Sequence, residues 1–222
     1  FMIALAMEKW NFHKRLALWI ISLMGTDPQR IVLGFMVATA FLSMWISNTA
    51  STMMMLPVAM AVVRQIAIDA SLNGEKNPDS QKTIENGLGL VLMLGLAYSA
   101  SIGGVGTLIG TPPNIVFAGF YKNLFPDNPE ISFFQWMMLA VPIVIVFIPL
   151  VWVYLCRFVS PVPLKNISAG SHEIIQQELD DLGSMNHAEK IVAGVFCLTT
   201  FLWIFRKPIL MGEFVIPGWS GL

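Results

Sequence analysis

The chain has 222 residues, of which 55% are hydrophobic and 12% charged, with a formal net charge of −1. A soluble domain carries roughly 25% charged residues. This balance therefore excludes a disordered chain, a collagen and a basic nucleic-acid binder, and leaves too little charge for a water-facing enzyme of this size. Cys156 and Cys197 both lie in apolar stretches and read as buried packing residues, not as a disulfide framework.

Stretches without Asp, Glu, Lys or Arg organise the chain at 31–63, 86–121, 131–156 and 191–205. A membrane-spanning helix needs about 20 apolar residues, so the fold class expected is an all-α polytopic membrane protein. In chain order, 1–30 reads as the end of a helix followed by an interfacial amphipathic helix, with Lys14 and Arg15 ahead of Leu16, Leu18, Trp19, Ile20 and Leu23. Segment 31–66 reads as a re-entrant hairpin, 67–85 as a polar loop, and 86–123 as a broken transmembrane helix. A transmembrane helix follows at 131–157, with Trp136, Trp152 and Tyr154 as interface anchors. Segment 158–187 reads as a cytoplasmic connector, including a short helix over 172–182 capped by Ser171. The last helix is 188–210, and 211–222 reads as a truncated end. No strand alternation is visible and neither end looks like a natural terminus, so the sequence is expected to be an internal piece of a larger membrane protein.

The first two uncharged stretches carry the information. Each is too long for one simple span and too short for two, and each has a polar break inside it. The first break is Ser47-Asn48-Thr49-Ala50-Ser51-Thr52; the second runs from Ser99 through Gly103-Gly104 to Gly110-Thr111-Pro112-Pro113-Asn114. Hydrocarbon cannot satisfy free backbone groups, so irregular backbone at membrane depth must be buried by protein or line a watery cavity. Two such interruptions in neighbouring segments point to a transporter binding site. Charge sidedness agrees. A hairpin over 31–66 that enters and leaves on one face puts Lys9, Lys14, Arg15, Arg30, Arg64, Lys76 and Lys82 on one side, later joined by Arg157, Lys165 and Lys190. Lys122, Arg206 and Lys207 fall on the other, as the positive-inside tendency requires.

The chemistry follows from residue type. Ser43, Ser47, Asn48 and Thr49 supply hydroxyls, an amide and free carbonyls, the neutral oxygens a hard cation prefers. The amide N–H groups opening the next half-helix, expected from Thr52 onward, favour an anion without any Lys or Arg. The glycines of the second break let backbone approach a ligand, Pro112 suits a helix start, and Asn114 adds an amide there. Single serines and glycines in membrane helices usually serve packing; the whole cluster, in a segment too long for one helix, favours function. Met53-Met54-Met55 reads as apolar packing, and no His–Cys–carboxylate constellation supports a metal enzyme. His13, His172 and His187 read as solvated. The glycines from Gly104 to Gly110 form no P-loop, because no Lys follows them.

The stretches SMWISNTASTMMMLP, 43–57, and SIGGVGTLIGTPPN, 101–114, resemble the divalent-anion/sodium symporter family of sodium-coupled dicarboxylate and citrate carriers, including its bacterial INDY-type members. The resemblance implies a homodimer in the cytoplasmic membrane of inverted-repeat, elevator-type architecture, in which a transport domain moves against a scaffold. It implies Na⁺ as coupling ion, held by Ser43, Ser47, Asn48 and a glycine carbonyl, assigned to Gly110 with Gly106 as the fallback. It implies a dicarboxylate or citrate held by Ser47, Asn48, Thr49 and Thr111. The family pattern has a second Ser-Asn-Thr, and this sequence contains one; the expectation is therefore the N-terminal-side part of a longer carrier. Two other classes remain open at this point. One is an anion or arsenite-type transporter or channel of the wider ion-transporter superfamily, not coupled to sodium. The other is an intramembrane enzyme using Ser47 or Ser101, for which no base lies within either uncharged stretch.

Overall fold

The computed structural model of the chain describes residues 2–24, 27–73, 78–159, 176, 177, 179–211, 214–216 and 218–221. Helices dominate: α1 (Met2–Lys9), α2 (Phe12–Leu23), α3 (Pro28–Ser43), α4 (Asn48–Asn73), α5 (Pro78–Val105), α6 (Pro112–Leu124), α7 (Phe133–Tyr154) and α8 (His187–Ile204). Helix α7 runs on into a π-helical turn, Leu155–Val159. Among the described residues, Asn48–Ile68, Lys82–Val105, Phe133–Val159 and His187–Ile204 are long and apolar enough to cross a membrane. The expectation of a helical polytopic membrane protein holds at that level. It missed a short antiparallel ribbon, Ile209–Met211 with Phe214–Ile216; three-residue strands are too short to show alternation.

Local chemistry sets the boundaries. Pro28 opens α3 after Asp27, whose extended backbone serves as the N-cap. Ser132 and Gln135 close a capping box at α7: Gln135 N donates to Ser132 Oγ at 3.1 Å, and Ser132 N donates to Gln135 Oε1 at 2.9 Å. The polar loop expected over 67–85 is mostly helix, since α4 runs to Asn73 and α5 starts at Pro78. Of the helix expected over 172–182, residues 172–175 and 178 lie outside the described residues.

Helix α5 packs against both α3 and α4, with α2 and α7 completing the large core. Ile31, Phe35 and Leu42 of α3, Met55, Val62 and Ile66 of α4, and Leu88, Leu92 and Leu96 of α5 are almost fully buried there. A smaller cluster joins Met7 of α1, Phe12 of α2, Val192 of α8 and Ile46 from the turn between α3 and α4. Across the two, α2 acts as a strap. Arg15 bonds the Gly183 and Leu182 carbonyls at 2.9 and 3.0 Å and pairs with the buried Glu189 of α8 at 3.3 Å, while Ala17, Leu18 and Ile21 enter the large core.

Two single-residue expectations change, and two tryptophans gain partners. His13 is not solvated: it is 4% exposed and its Nδ1 lies 2.8 Å from the Met7 carbonyl oxygen, because α1 folds back over α2. Cys197 is exposed on α8, not buried, and both cysteines are free. Trp136 and Trp152 donate to the backbone carbonyls of Val105 and Gln29, each at 2.8 Å, so they tie the ends of α7 to α5 and α3.

Candidate functional site

The first break is a tight turn. Past Ser43 the backbone keeps winding, with Trp45 N and Ile46 N donating to Leu42 O at 3.0 and 2.9 Å. Ser47 then leaves the helix and caps the next one, its Oγ accepting from Ala50 N at 3.2 Å. Helix α4 thus starts at Asn48, not near Thr52 as the sequence suggested, because Ser47 is itself the cap. Asn48 and Thr49 consequently lie in the first turn, where backbone N–H groups have no helical acceptor.

The second break is shorter than expected. Helix α5 continues through Ser99, Ser101, Gly103 and Gly104 to Val105. Ser99 and Ser101 do not interrupt it, since each hydroxyl bonds back to a carbonyl of its own helix, at 3.1 Å in both cases. The irregular backbone is 106–111. There Gly106 N donates to Gly103 O at 2.8 Å and Gly110 N to Thr107 O at 3.3 Å. Buried Asn114 reaches back from α6 and donates to the Gly104 and Thr107 carbonyls at 2.9 and 2.7 Å. Its amide is a brace for the loop and not a ligand group in waiting. Thr111 is the N-cap of α6 with an extended backbone and no side-chain capping bond, and Pro112 and Pro113 follow as the first helical residues.

The two breaks are in contact. Ser43 is fully buried, and its Oγ lies 2.6 Å from Asn48 Oδ1 and 2.7 Å from Ala100 O. A hydroxyl has one proton, and the Ala100 carbonyl can only accept. Ser43 therefore donates to Ala100, and the remaining contact is satisfied when the Asn48 amide is turned so that Nδ2 donates to Ser43. That turn sets Oδ1 free for another partner. Thr107 Oγ1 donates to Met44 O at 2.5 Å, fastening the loop to the turn. Glycines make the approach possible. A methyl group on Gly104 would lie 2.5 Å from Asn48 Oδ1, and one on Gly103 would lie 2.5 Å from Ala40 Cα. Gly110 stands against Gly104 O, and Gly106 against Gly103 O and the Met44 side chain.

Of the residues singled out in the sequence, Ser43, Asn48, Gly106 and Gly110 are thus brought together by α3, α4, α5 and the loop. Ser47 and Thr49 are exposed beside them, and Thr111 is half-buried at the start of α6. The sequence reading did not single out Thr107 or the Ala100 carbonyl, and it assigned Asn114 a different task. Nothing marks Thr107 within its glycine-rich stretch, and a backbone carbonyl has no sequence signal. Chemically the cluster offers uncharged oxygens for a small hard cation and, on the exposed side of Asn48, hydroxyls and helix-end N–H groups for a carboxylate.

Two turns meeting without a charged side chain, among helices long and apolar enough to cross a membrane, define a class of helical membrane proteins with an uncharged polar site. The chain belongs to the citrate transporter family, whose model matches residues 1–218. Among curated relatives it is 42% identical over 220 residues to the sodium-dependent dicarboxylate transporter SdcS of Staphylococcus saprophyticus, covering 99% of this chain and 40% of that protein. It is likewise 42% identical over 220 residues to SdcS of Staphylococcus aureus, of which it covers 39%. The chain therefore spans about two fifths of the length of these relatives. The motif-based assignment to the divalent-anion/sodium symporter type agrees with both findings.

Proposed function

We propose that this chain carries a Na⁺- and carboxylate-binding half-site of a multi-pass cytoplasmic-membrane symporter for di- or tricarboxylates of the succinate, malate, fumarate or citrate type. The carrying observation is the docking of the first turn of α4 on the end of α5 through Ser43, Asn48 and Ala100. In this reading Ser43, Ser47, Asn48 and the Gly110 carbonyl, with Gly106 as the alternative, hold Na⁺. Ser47, Asn48, Thr49 and Thr111 meet a substrate carboxylate. The names of the Staphylococcus relatives support both ligands.

Asn48 explains the coupling. Its amide serves cation and carboxylate together, so each ligand orders the group that the other needs, and linkage makes the effect reciprocal. A bound cation also offsets the cost of taking an anion out of water. The re-entrant geometry is supported by length: α3 has 16 residues, about 24 Å at 1.5 Å each, against a hydrocarbon core of about 30 Å. Its end, and the site with it, then lies within the bilayer. An elevator movement fits the bonding, since the turn is hydrogen-bonded to α5 and its loop, while its contacts with α8 are apolar, Trp45 on Phe196 with ring centres 5.1 Å apart and Ile46 in one cluster with Val192. A homodimer is part of the proposal by family analogy.

The test is uptake of radiolabelled succinate and citrate into proteoliposomes with and without an inward Na⁺ gradient. Na⁺-dependent uptake that Asn48→Ala abolishes is expected. Uptake indifferent to Na⁺ would replace this reading with sodium-independent anion transport.

A further inference from the structure

Hydroxyls buried in apolar helices have a standard remedy, a bond back to a carbonyl one turn earlier. Helices here use it repeatedly: Thr39 donates to Phe35 O at 2.7 Å, Thr52 to Asn48 O at 2.8 Å, Ser99 to Leu96 O at 3.1 Å and Thr199 to Val195 O at 2.8 Å. Ser51 does not. It is 0% exposed, and its Oγ has no hydrogen-bond partner among the described residues. The carbonyl it could use, Ser47 O, accepts Ser51 N at 3.0 Å and retains a lone pair. An unmade bond of this kind is costly, and other polypeptide cannot supply it, because the side chain is already enclosed. At 0% exposure there is no room for a water molecule beside it, so its partner has to be smaller, a bare ion admitted as the side chain turns.

Its position says which ion. Ser51 lies three residues after Asn48, so the two share a face of α4. It heads the buried row Met55, Val58, Val62 and Ile66, which belongs to the core shared with α5. On the same side the Asn48 amide packs directly on Gly104 of α5, where a Cβ would lie 2.5 Å from it. The oxygens assigned above number four, Ser43, Ser47, Asn48 and one glycine carbonyl, whereas hard cations commonly take about six. We propose that Ser51 Oγ is a further ligand of the coupling cation, on the inner side of the site, and that its side chain rotates so that the hydroxyl donates to Ser47 O when the ion is bound. This inference rests on the reading that the Ser43–Asn48 cluster binds Na⁺.

The experiment compares the parent protein with Ser51→Ala, Ser51→Cys and Asn48→Ala, by Na⁺-dependent thermal stabilisation in detergent and by the Na⁺ half-saturation of succinate uptake. Specific ion binding raises the melting temperature as free Na⁺ increases. Ser51→Ala should melt no lower than the parent without Na⁺, since it removes an unpartnered group. It should need about tenfold more Na⁺ for the same stabilisation and for half-maximal uptake, the effect of one lost contact, with the succinate KM at saturating Na⁺ unchanged. Ser51→Cys should behave alike, because sulfur is a soft ligand of similar size. If both variants keep the parent's Na⁺ dependence while Asn48→Ala loses it, Ser51 is no ligand and the site stands without it. A lower melting temperature with unchanged Na⁺ dependence would make Ser51 structural and overturn the inference. A parent that neither binds nor requires Na⁺ would remove the site itself, and this inference with it.

Discussion

The large core around α5 and the small cluster between α1, α8 and the α3–α4 turn are built in different ways. In the core, side chains from α2, α3, α4, α5 and α7 interlock, and Thr39 and Ser99 bond back to their own helices, Ser51 at its edge being the exception. In the small cluster, Trp45 lies among Phe133, Phe196 and neighbouring Met7, and two polar atoms, Trp45 Nε1 and Thr200 Oγ1, are buried without partners among the described residues. Aromatic faces attract without fixing a register, whereas interdigitated cores resist displacement. The turn that carries Asn48 is thus hydrogen-bonded to α5 and its loop, and meets α8 through apolar contacts.

The heaviest blow to this contrast is Glu189→Ala. It strands Arg15 in a site where Arg15 and Glu189 are 18% and 7% exposed; loss of one partner of a buried pair costs about 3–5 kcal/mol. Hydrogen exchange should then rise in α8 and α2 before it rises in α5. Asn48→Ala should leave the core protected while cutting Na⁺-driven uptake about 100-fold, two contacts of roughly tenfold each. Gly103→Ala should cost about 1–3 kcal/mol in melting experiments, because the added methyl meets the Ala40 backbone and neither helix can yield. Trp45→Phe keeps the aromatic contact and removes an unbonded N–H. Its effect on stability should be less than about 1 kcal/mol, and a large loss would show that the small cluster is as specific as the core.

The smallest effect concerns Glu130, between α6 and α7. A hydrogen bond from Lys122, then one from Lys207 together with the charges of both, lowers its pKa from 4.5 to about 2. A lowered carboxyl pKa contributes stability that is complete above the unfolded value and is lost as pH falls toward the folded one. The difference in melting temperature between the parent and Glu130→Gln should thus be constant from pH 8 to 5 and shrink below about 4.5. A difference that varied between pH 5 and 8 would assign the titration to another group.

The site was legible where its residues break a pattern. Uncharged stretches too long for one span, each with a polar interruption, located both breaks; Gly106 and Gly110 entered only through the family resemblance. Helix ends were harder to read. Ser47 looked like a ligand and is also the cap that starts α4; Ser99 and Ser101 looked like a break and lie inside α5. Serine bonds equally well to its own helix or to a neighbour, and sequence alone does not say which. Gly103 and Gly104 read as part of the break, yet they remain helical and serve as a bare surface on which Ala40 and Asn48 rest. The burial of His13 depends on α1 folding back, a tertiary contact with no local trace.

Pro112 and Pro113 carry one more consequence. A helix start ordinarily presents both a positive end and a set of N–H donors, and two adjacent prolines at α6 delete donors while leaving the field in place. A negative group near that end would feel the pull of the helix and find fewer donors to grip than at the start of α4.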